Sequence, residues 1–257
     1  PNKLHKKLKK GKYSVDIKTK FSKGKLEMAE DTHRGKLNDS FLFVGHFDHP
    51  QMCLDGLVGC LAGHELLRRL KGRKTKLTYR MLSTVEIIGS VFYAKYHAKK
   101  KKVKQALFIS APGALQNLGY QQSFSKNNSI DKITTHVLKN LNTNYKIYEF
   151  RKGPIGNDEI AYDVGGVNIP CGSLVRSPFS SYHTDSDNPS GVSWKNFEES
   201  MMVLEEIIHI FENNSFLHRN FKGLPRLSSK KFNLYLSPES ASGIKGYSSN
   251  FNRDLIS

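Results

Sequence analysis

Three cysteines, Cys53, Cys60 and Cys171, are all that the 257 residues contain. They are too few and too irregularly spaced for a disulfide framework or a thiolate zinc site. Reduced thiols in a cytosolic protein are the simplest account, so a cytoplasmic location is expected. Long apolar runs are missing too. No stretch reaches bilayer-spanning length and no signal-peptide pattern opens the chain, so no membrane partner is expected. Pro1 stands where Met would, which points to a fragment or a processed chain. Acids are scarce, 23 Asp and Glu against 40 Lys and Arg, giving a formal net charge of +17. Apolar residues make up only 38% of the chain and the mean hydropathy is −0.50, which describes a very polar surface.

What is present still suffices for a core. Fifteen Phe and eleven Tyr supply the aromatic area, and the length suits one large α/β domain, alone or with a small appendage. The positive charge is uneven. Residues 1–12 hold six lysines and Lys99 to Lys102 form an unbroken run, whereas residues 149–212 carry eleven acids against four bases. A basic end and an acidic middle do not make one continuous nucleic-acid groove, and no recognition module accompanies the charge. No specific nucleic-acid partner is expected, and weak, salt-sensitive binding to acidic polymers is what such runs allow.

No internal repeat is visible. Residues 13–18 and 24–28 alternate apolar and polar around a Phe21-Ser22-Lys23-Gly24 turn, the pattern of a β-hairpin. Residues 41–44 form a continuous apolar run of the buried-strand kind. Residues 57–70 show helical spacing that ends in basic residues and Gly72, a helix stop. The alternation continues with strands at 77–82, 106–109, 145–148 and 171–175. Helices are expected at 90–97, 130–141, 157–162 capped by Asn157, and 193–211 opened by Ser193. Strand–helix alternation of this kind predicts an open, mostly parallel sheet with helices on both faces. The segment after residue 213, rich in Ser, Asn, Gly and Lys, reads as loop or arm.

In such sheets ligands bind beyond the carboxyl ends of the strands. The first such loop runs Gly45-His46-Phe47-Asp48-His49-Pro50-Gln51-Met52-Cys53-Leu54-Asp55-Gly56, with two His and two Asp directly after a buried strand. Imidazole and carboxylate are zinc donors, and catalytic zinc sites combine three protein ligands with an open position. The second loop sets Glu86 between Val85 and Ile87-Ile88, either as a capping acid at the next helix or as a general base or ligand. The third, Gly156-Asn157-Asp158-Glu159, reads equally as a cap or as part of a site. The fourth, Ser181-Tyr182-His183-Thr184-Asp185-Ser186-Asp187-Asn188-Pro189, is turn-like in composition, yet it follows a strand end. The remaining histidines lie in helical or basic surroundings and carry no expected role.

At these residues the sequence resembles the aminopeptidase-like proteins of uncertain function that group with the zinc aminopeptidases and glutaminyl cyclases. The likeness runs through His46-Phe47-Asp48-His49-Pro50, then Leu54-Asp55-Gly56-Leu57-Val58-Gly59 and Val85-Glu86-Ile87-Ile88-Gly89-Ser90. It continues through Asn157-Asp158-Glu159 and Tyr182-His183-Thr184-Asp185-Ser186-Asp187-Asn188, in one order over residues 13–225. The resemblance implies a phosphorylase/peptidase-like three-layer α/β sandwich around a mixed, mostly parallel sheet. It implies metal ligands His49, Asp55 and His183, with His46 in reserve, and Glu86 as base or further ligand. Asp158 would steady the site or, like Glu159, hold a substrate amine.

The matching strand end Ser110-Ala111-Pro112-Gly113-Ala114 has no acid, which implies one zinc ion rather than two. The implied domains are a basic arm and hairpin over residues 1–38, resembling the tail of a small inserted β domain, the exopeptidase-like α/β domain over 39–214, and a C-terminal arm over 215–257. The implied activity is zinc-dependent hydrolysis of an amide bond at the free amino end of a peptide or aminoacyl substrate, by a metal-activated water. The competing expectation is a non-catalytic, metal-stabilised binding domain on a peptidase scaffold.

Overall fold

A computed structural model describes residues 6–50, 52–141, 144–154, 156–215, 218–219 and 222–223. The chain divides into residues 1–214 and residues 215–257. All elements named below belong to the first unit, and the expected C-terminal arm lies almost wholly outside the described residues.

Seven strands make one sheet: β1 (Ala29–His33), β2 (Ser40–His46), β3 (Thr78–Thr84), β4 (Val103–Ser110), β5 (Leu118–Gln121), β6 (Tyr145–Tyr148) and β7 (Cys171–Val175), in the order β1-β3-β2-β4-β7-β5-β6. The β3–β2, β2–β4, β4–β7 and β5–β6 pairs are parallel, and β1–β3 and β7–β5 are antiparallel. The mixed, mostly parallel sheet is therefore the expected one. Its helices are α1 (Leu57–Arg69), α2 (Ile88–Tyr93) prolonged by a π-helical turn Ala94–Ala98, α3 (Ser129–Asn140) and α4 (Trp194–Asn213), with a short 3-10 turn at Asp158–Ala161.

The central strands explain the layering. All seven residues of β2 are buried, and successive side chains alternate between two cores. Phe41 and Phe43 pack with α1, α3 and α4, whereas Leu42 and Val44 pack with Tyr93, Ala94 and Tyr162 on the opposite face. Period-two alternation across a sheet covered on both sides reads in sequence as one continuous apolar run. α1 lies close on the sheet: a Cβ at Gly59 would sit 2.4 Å from the Ile109 carbonyl oxygen. α4 starts where Ser193 accepts the Asn196 N–H at 3.3 Å, as its N-cap position predicts.

Two local expectations fail. No hairpin forms at 13–28, since residues 12–28 carry neither strand nor helix, and Val15, Ile17 and Phe21 are 79%, 80% and 98% exposed. Alternation makes a strand only where one face finds a core, and a lone two-stranded ribbon is marginal in water. Asn157 does not cap a helix. It has φ −144° and makes no side-chain cap bond, and the turn it precedes is 3-10 rather than α. β1 and β5 were not expected. β1 is an edge strand of sequence Ala-Glu-Asp-Thr-His, polar because an edge meets solvent, and β5 spans only four residues with a glycine among them.

Candidate metal centre

β2, β3 and β7 run parallel in the sheet, so their carboxyl ends open on one edge and the loops that follow them meet there. Asp55 stands at the centre. Its carboxylate Oδ2 lies 3.0 Å from His183 Nε2 and 3.9 Å from His49 Nε2, while its Oδ1 lies 3.4 Å from His46 Nε2. His49 Nε2 is also 3.1 Å from Glu86 Oε2. The structure thus brings together His49, Asp55, His183 and Glu86, all four residues named from sequence for metal and base. The outer side is open: the His183 side chain is 53% exposed, Glu86 30% and His49 21%, against 5% for Asp55.

Asp55 Oδ2 is buried and, among the described residues, accepts no hydrogen bond. A desolvated carboxylate oxygen without a donor is costly. Here two imidazole nitrogens lie 3.0 and 3.9 Å from that same oxygen without a hydrogen bond to it, the donor types of a divalent cation with N and O ligands. The residues present therefore fit a metal ion. Ligand atoms of His46, His49 and Asp55 also lie within 4.8 Å of one another, as do those of Asp48, His49 and Glu86. His46 differs from His49 in having both ring nitrogens already faced by carboxylates: Nδ1 is 3.2 Å from Asp158 Oδ2 and Nε2 meets Asp55.

Electrostatics follow from that packing. Burial disfavours charge on His46, but the bonds to Asp158 and Asp55 and the charges of Asp158 and Glu86 prevail and lift its pKa to about 10. Burial would raise the Asp55 carboxyl. The His46 bond and the charges of His46, His49 and His183 hold it below the usual range instead.

A second ring of contacts fixes the donors. Asp187, 1% exposed, accepts the N–H groups of Leu54 and Asp55 at 2.7 and 2.9 Å. Gly56 adopts φ +113°, and a Cβ there would meet the His46 carbonyl oxygen at 2.7 Å, so the turn after Asp55 requires glycine. Asp48 accepts the Glu86 N–H at 3.0 Å. Asp158 accepts from the Ile87 N–H at 3.0 Å and from the Ser90 hydroxyl. Ile87 and His183 hold φ of 57° and 56°, unusual for side chains branched or bulky, and both adjoin the donors. Tyr182 stacks on the His183 ring at 3.8 Å between centroids.

The structure corrects part of the sequence reading. Asp158 and Glu159 are both 0% exposed, so neither meets a substrate amine. Asp158 lies beneath His46 and steadies it, which keeps the other expected role and removes a direct catalytic one. Glu159 is turned to Gln121 Nε2 at 2.8 Å and to the Asn157 N–H, and burial raises its pKa. The start of α2 has no side-chain cap, so Glu86 is not a capping acid. Asp187 lies within the quoted motifs without an expected role, and its signal is an acid just beyond His183 in the same turn. The three cysteines are buried and free, and burial pushes the Cys60 thiol up to about 11, so it is no nucleophile.

A curated relative of Clostridium acetobutylicum, provisionally named a polysaccharide biosynthesis protein with an aminopeptidase-like domain, is 32% identical over 222 residues, covering 85% of this chain and 51% of its own length. The crystal structure of a provisionally named peptidase of the same organism matches with a TM-score of 0.71 and 32% identity, over 78% of this chain and 48% of that one. This chain thus spans about half the length of the relatives it matches. The zinc aminopeptidase of Bacillus subtilis shares the fold at a TM-score of 0.60 and 12% identity, over 71% of this chain and 48% of that one. The glutaminyl cyclase of Fimbriiglobus ruber does so at 0.59 and 15%, over 72% and 75%. No helix among the described residues is long and apolar enough to cross a membrane. The family described as "Domain of unknown function (DUF4910)" matches residues 4–214, and the chain belongs to that family.

Proposed function

We propose that the chain is a metal-dependent hydrolase of the aminopeptidase type, holding one zinc ion through His49, Asp55 and His183 and cleaving the amide bond at the free amino end of a peptide or aminoacyl substrate. The observation that carries this reading is Asp55 Oδ2, buried, without a hydrogen-bond donor, and faced by the Nε2 atoms of His183 and His49 at 3.0 and 3.9 Å. The aminopeptidase-like domain in the name of the Clostridium relative supports it. The acid-free end of β4, Ser110-Ala111, supports one ion over two.

Bound there, zinc supplies a Lewis acid that polarises a carbonyl and lowers the pKa of water to roughly 7. Glu86, part exposed and 3.1 Å from His49, takes the proton from the attacking water and returns it to the leaving amine. His46, backed by Asp158, holds Asp55 Oδ1, which leaves Oδ2 for the ion. Asp48, exposed beside Glu86, attracts the substrate ammonium.

The test is elemental analysis of the native protein and of Asp55→Ala and His183→Ala, beside hydrolysis of aminoacyl amides. About one zinc per chain, lost in both variants, with amide cleavage by the native protein alone, is expected. Zinc bound without any cleavage would hand the site to the non-catalytic binding reading. No zinc after incubation with the metal would end the metal assignment.

A further inference from the structure

The sheet has a second pole, at the amino ends of β2 and β3. There the C-terminal turn of α1, the loop from residue 71 to 77 and the last turns of α4 line a half-open cavity of about 350 Å³. The seven residues of β3 separate it from Glu86, a span of about 20 Å at 3.3 Å per residue. Lys36, Arg69, Arg73, Lys74 and Lys76 face the cavity, together with two carboxylates, Glu205 and Glu212.

Both carboxylates are committed. Glu205 Oε1 receives Arg69 Nη1 at 2.9 Å, and Arg69 is further bound by Glu65 and Glu198. Glu212 accepts the backbone N–H groups of Lys76 and Leu77 and the Tyr79 hydroxyl, which spends its lone pairs on the loop. Lys36, Arg73, Lys74 and Lys76 have no carboxylate within 4.0 Å of their side chains among the described residues. Four cations without a carboxylate partner therefore line one concave space whose two acids are held by other groups, Glu205 by Arg69 and Glu212 by the loop and Tyr79. The volume falls at the small end of the range for small-molecule pockets, roughly 300–1,000 Å³. Lysine ammonium groups and an arginine fork are the side chains that recognise phosphate oxygens.

We propose that this cavity is a second ligand site, independent of the candidate metal centre, that binds a phosphate-bearing small molecule. A bare cationic surface, such as the Lys99–Lys102 run, attracts polyanions diffusely. A concave site gathers four such cations around one anion, and charge makes that binding weaken as salt rises.

Isothermal titration of the zinc-free protein with inorganic pyrophosphate, and separately with orthophosphate, tests this without interference from anion binding at a metal. One saturable site per chain is expected. Affinity should fall at least tenfold in Arg73→Gln/Lys74→Gln, whose side chains are exposed, and stay within twofold in Lys99→Gln/Lys100→Gln. Equal weakening in both double variants, or none in the first, would overturn the site and leave diffuse charge as the cause. Binding only to phosphatidic-acid vesicles, with neither phosphate taken up, would overturn the small-molecule assignment in favour of a membrane headgroup. Circular dichroism of the first double variant guards against a folding artefact. Should that variant misfold, Lys36→Gln, on a separate loop, must show the same loss or the proposal fails.

Discussion

The carboxylate of Asp187 receives the backbone N–H of Asp55 at 2.9 Å, and that of Leu54 at 2.7 Å, across more than 130 residues of chain. One buried side chain thus ties the loop that presents Asp55 to the loop that presents His183. Asp187→Ala leaves two buried N–H groups without an acceptor, each costing about 1–3 kcal/mol. The expected result is a lower urea midpoint in the presence of chelator, together with zinc binding weakened about 10- to 100-fold, the usual effect of losing an outer contact to a metal ligand. Asp187→Asn, which keeps one acceptor, should recover part of both. Unchanged zinc affinity in a clearly destabilised Ala variant would separate the tether from the site.

A second ion cluster sets an acid limit on stability. Glu30 Oε1 is 2.7 Å from both Arg80 Nη1 and Lys101 Nζ, and Oε2 accepts the Tyr93 hydroxyl at 2.7 Å. Burial alone would raise its pKa. The bonds from Lys101 and Tyr93, with the charges of Lys101 and Arg80, hold it below the ordinary value of 4.5. A carboxyl depressed in the folded state adds stability above its unfolded pKa and loses it as pH falls through the folded one. Glu30→Gln should therefore cost stability at neutral pH, about 1.5–3 kcal/mol for hydrogen bonds to charged groups. That cost should shrink toward zero in acid. Urea melts at about pH 7 and about pH 3 would show it, and an equal cost at both would point to packing instead.

The seating of α1 on the sheet sets a steric limit. A Cβ at Gly59 would lie 2.4 Å from the Ile109 carbonyl oxygen, which is backbone of β4 and has little freedom to move. Overpacking at such a contact costs typically 1–3 kcal/mol, more than Ala gains over Gly in a helix interior, about 1 kcal/mol. Gly59→Ala should lower the melting temperature despite the better helix former. A rise would mean that α1 can lift away from β4.

Legibility followed burial. The apolar runs of β2 and β7 could be read because these strands are buried on both faces, and the periodicity of α1, α3 and α4 because each helix turns one face to a single core. β1 could not, because its residues are polar, and Glu30 is covered only by Arg80, Tyr93 and Lys101, which are distant in sequence. The 13–28 segment misled for the opposite reason: its alternation is real, but Val15 and Ile17 have nothing to pack on. At the site, residue types and strand ends located His49, Asp55, His183 and Glu86. What sequence could not tell was direction. Adjacent acids, Asp158 and Glu159, both turn inward, one to His46 and one to Gln121. Only the fold around a 3-10 turn decides that.

Glu86 is where metal binding and chemistry separate. Its Oε2 lies 3.1 Å from His49 Nε2, its backbone N–H is held by Asp48, and its side chain keeps 30% exposure on the open side of the donors. A group so placed can serve as base without being needed as a ligand if, as proposed, His49, Asp55 and His183 are the three donors. Glu86→Gln keeps size and the Asp48 tether but cannot take a proton. Zinc content should stay near that of the native protein, while kcat for aminoacyl amides falls about 10²- to 10⁴-fold, the range for a lost general base, with little change in KM. Loss of zinc along with activity would make Glu86 a ligand instead. Full activity with zinc retained would move the base elsewhere, with Asp48 the next side chain to change.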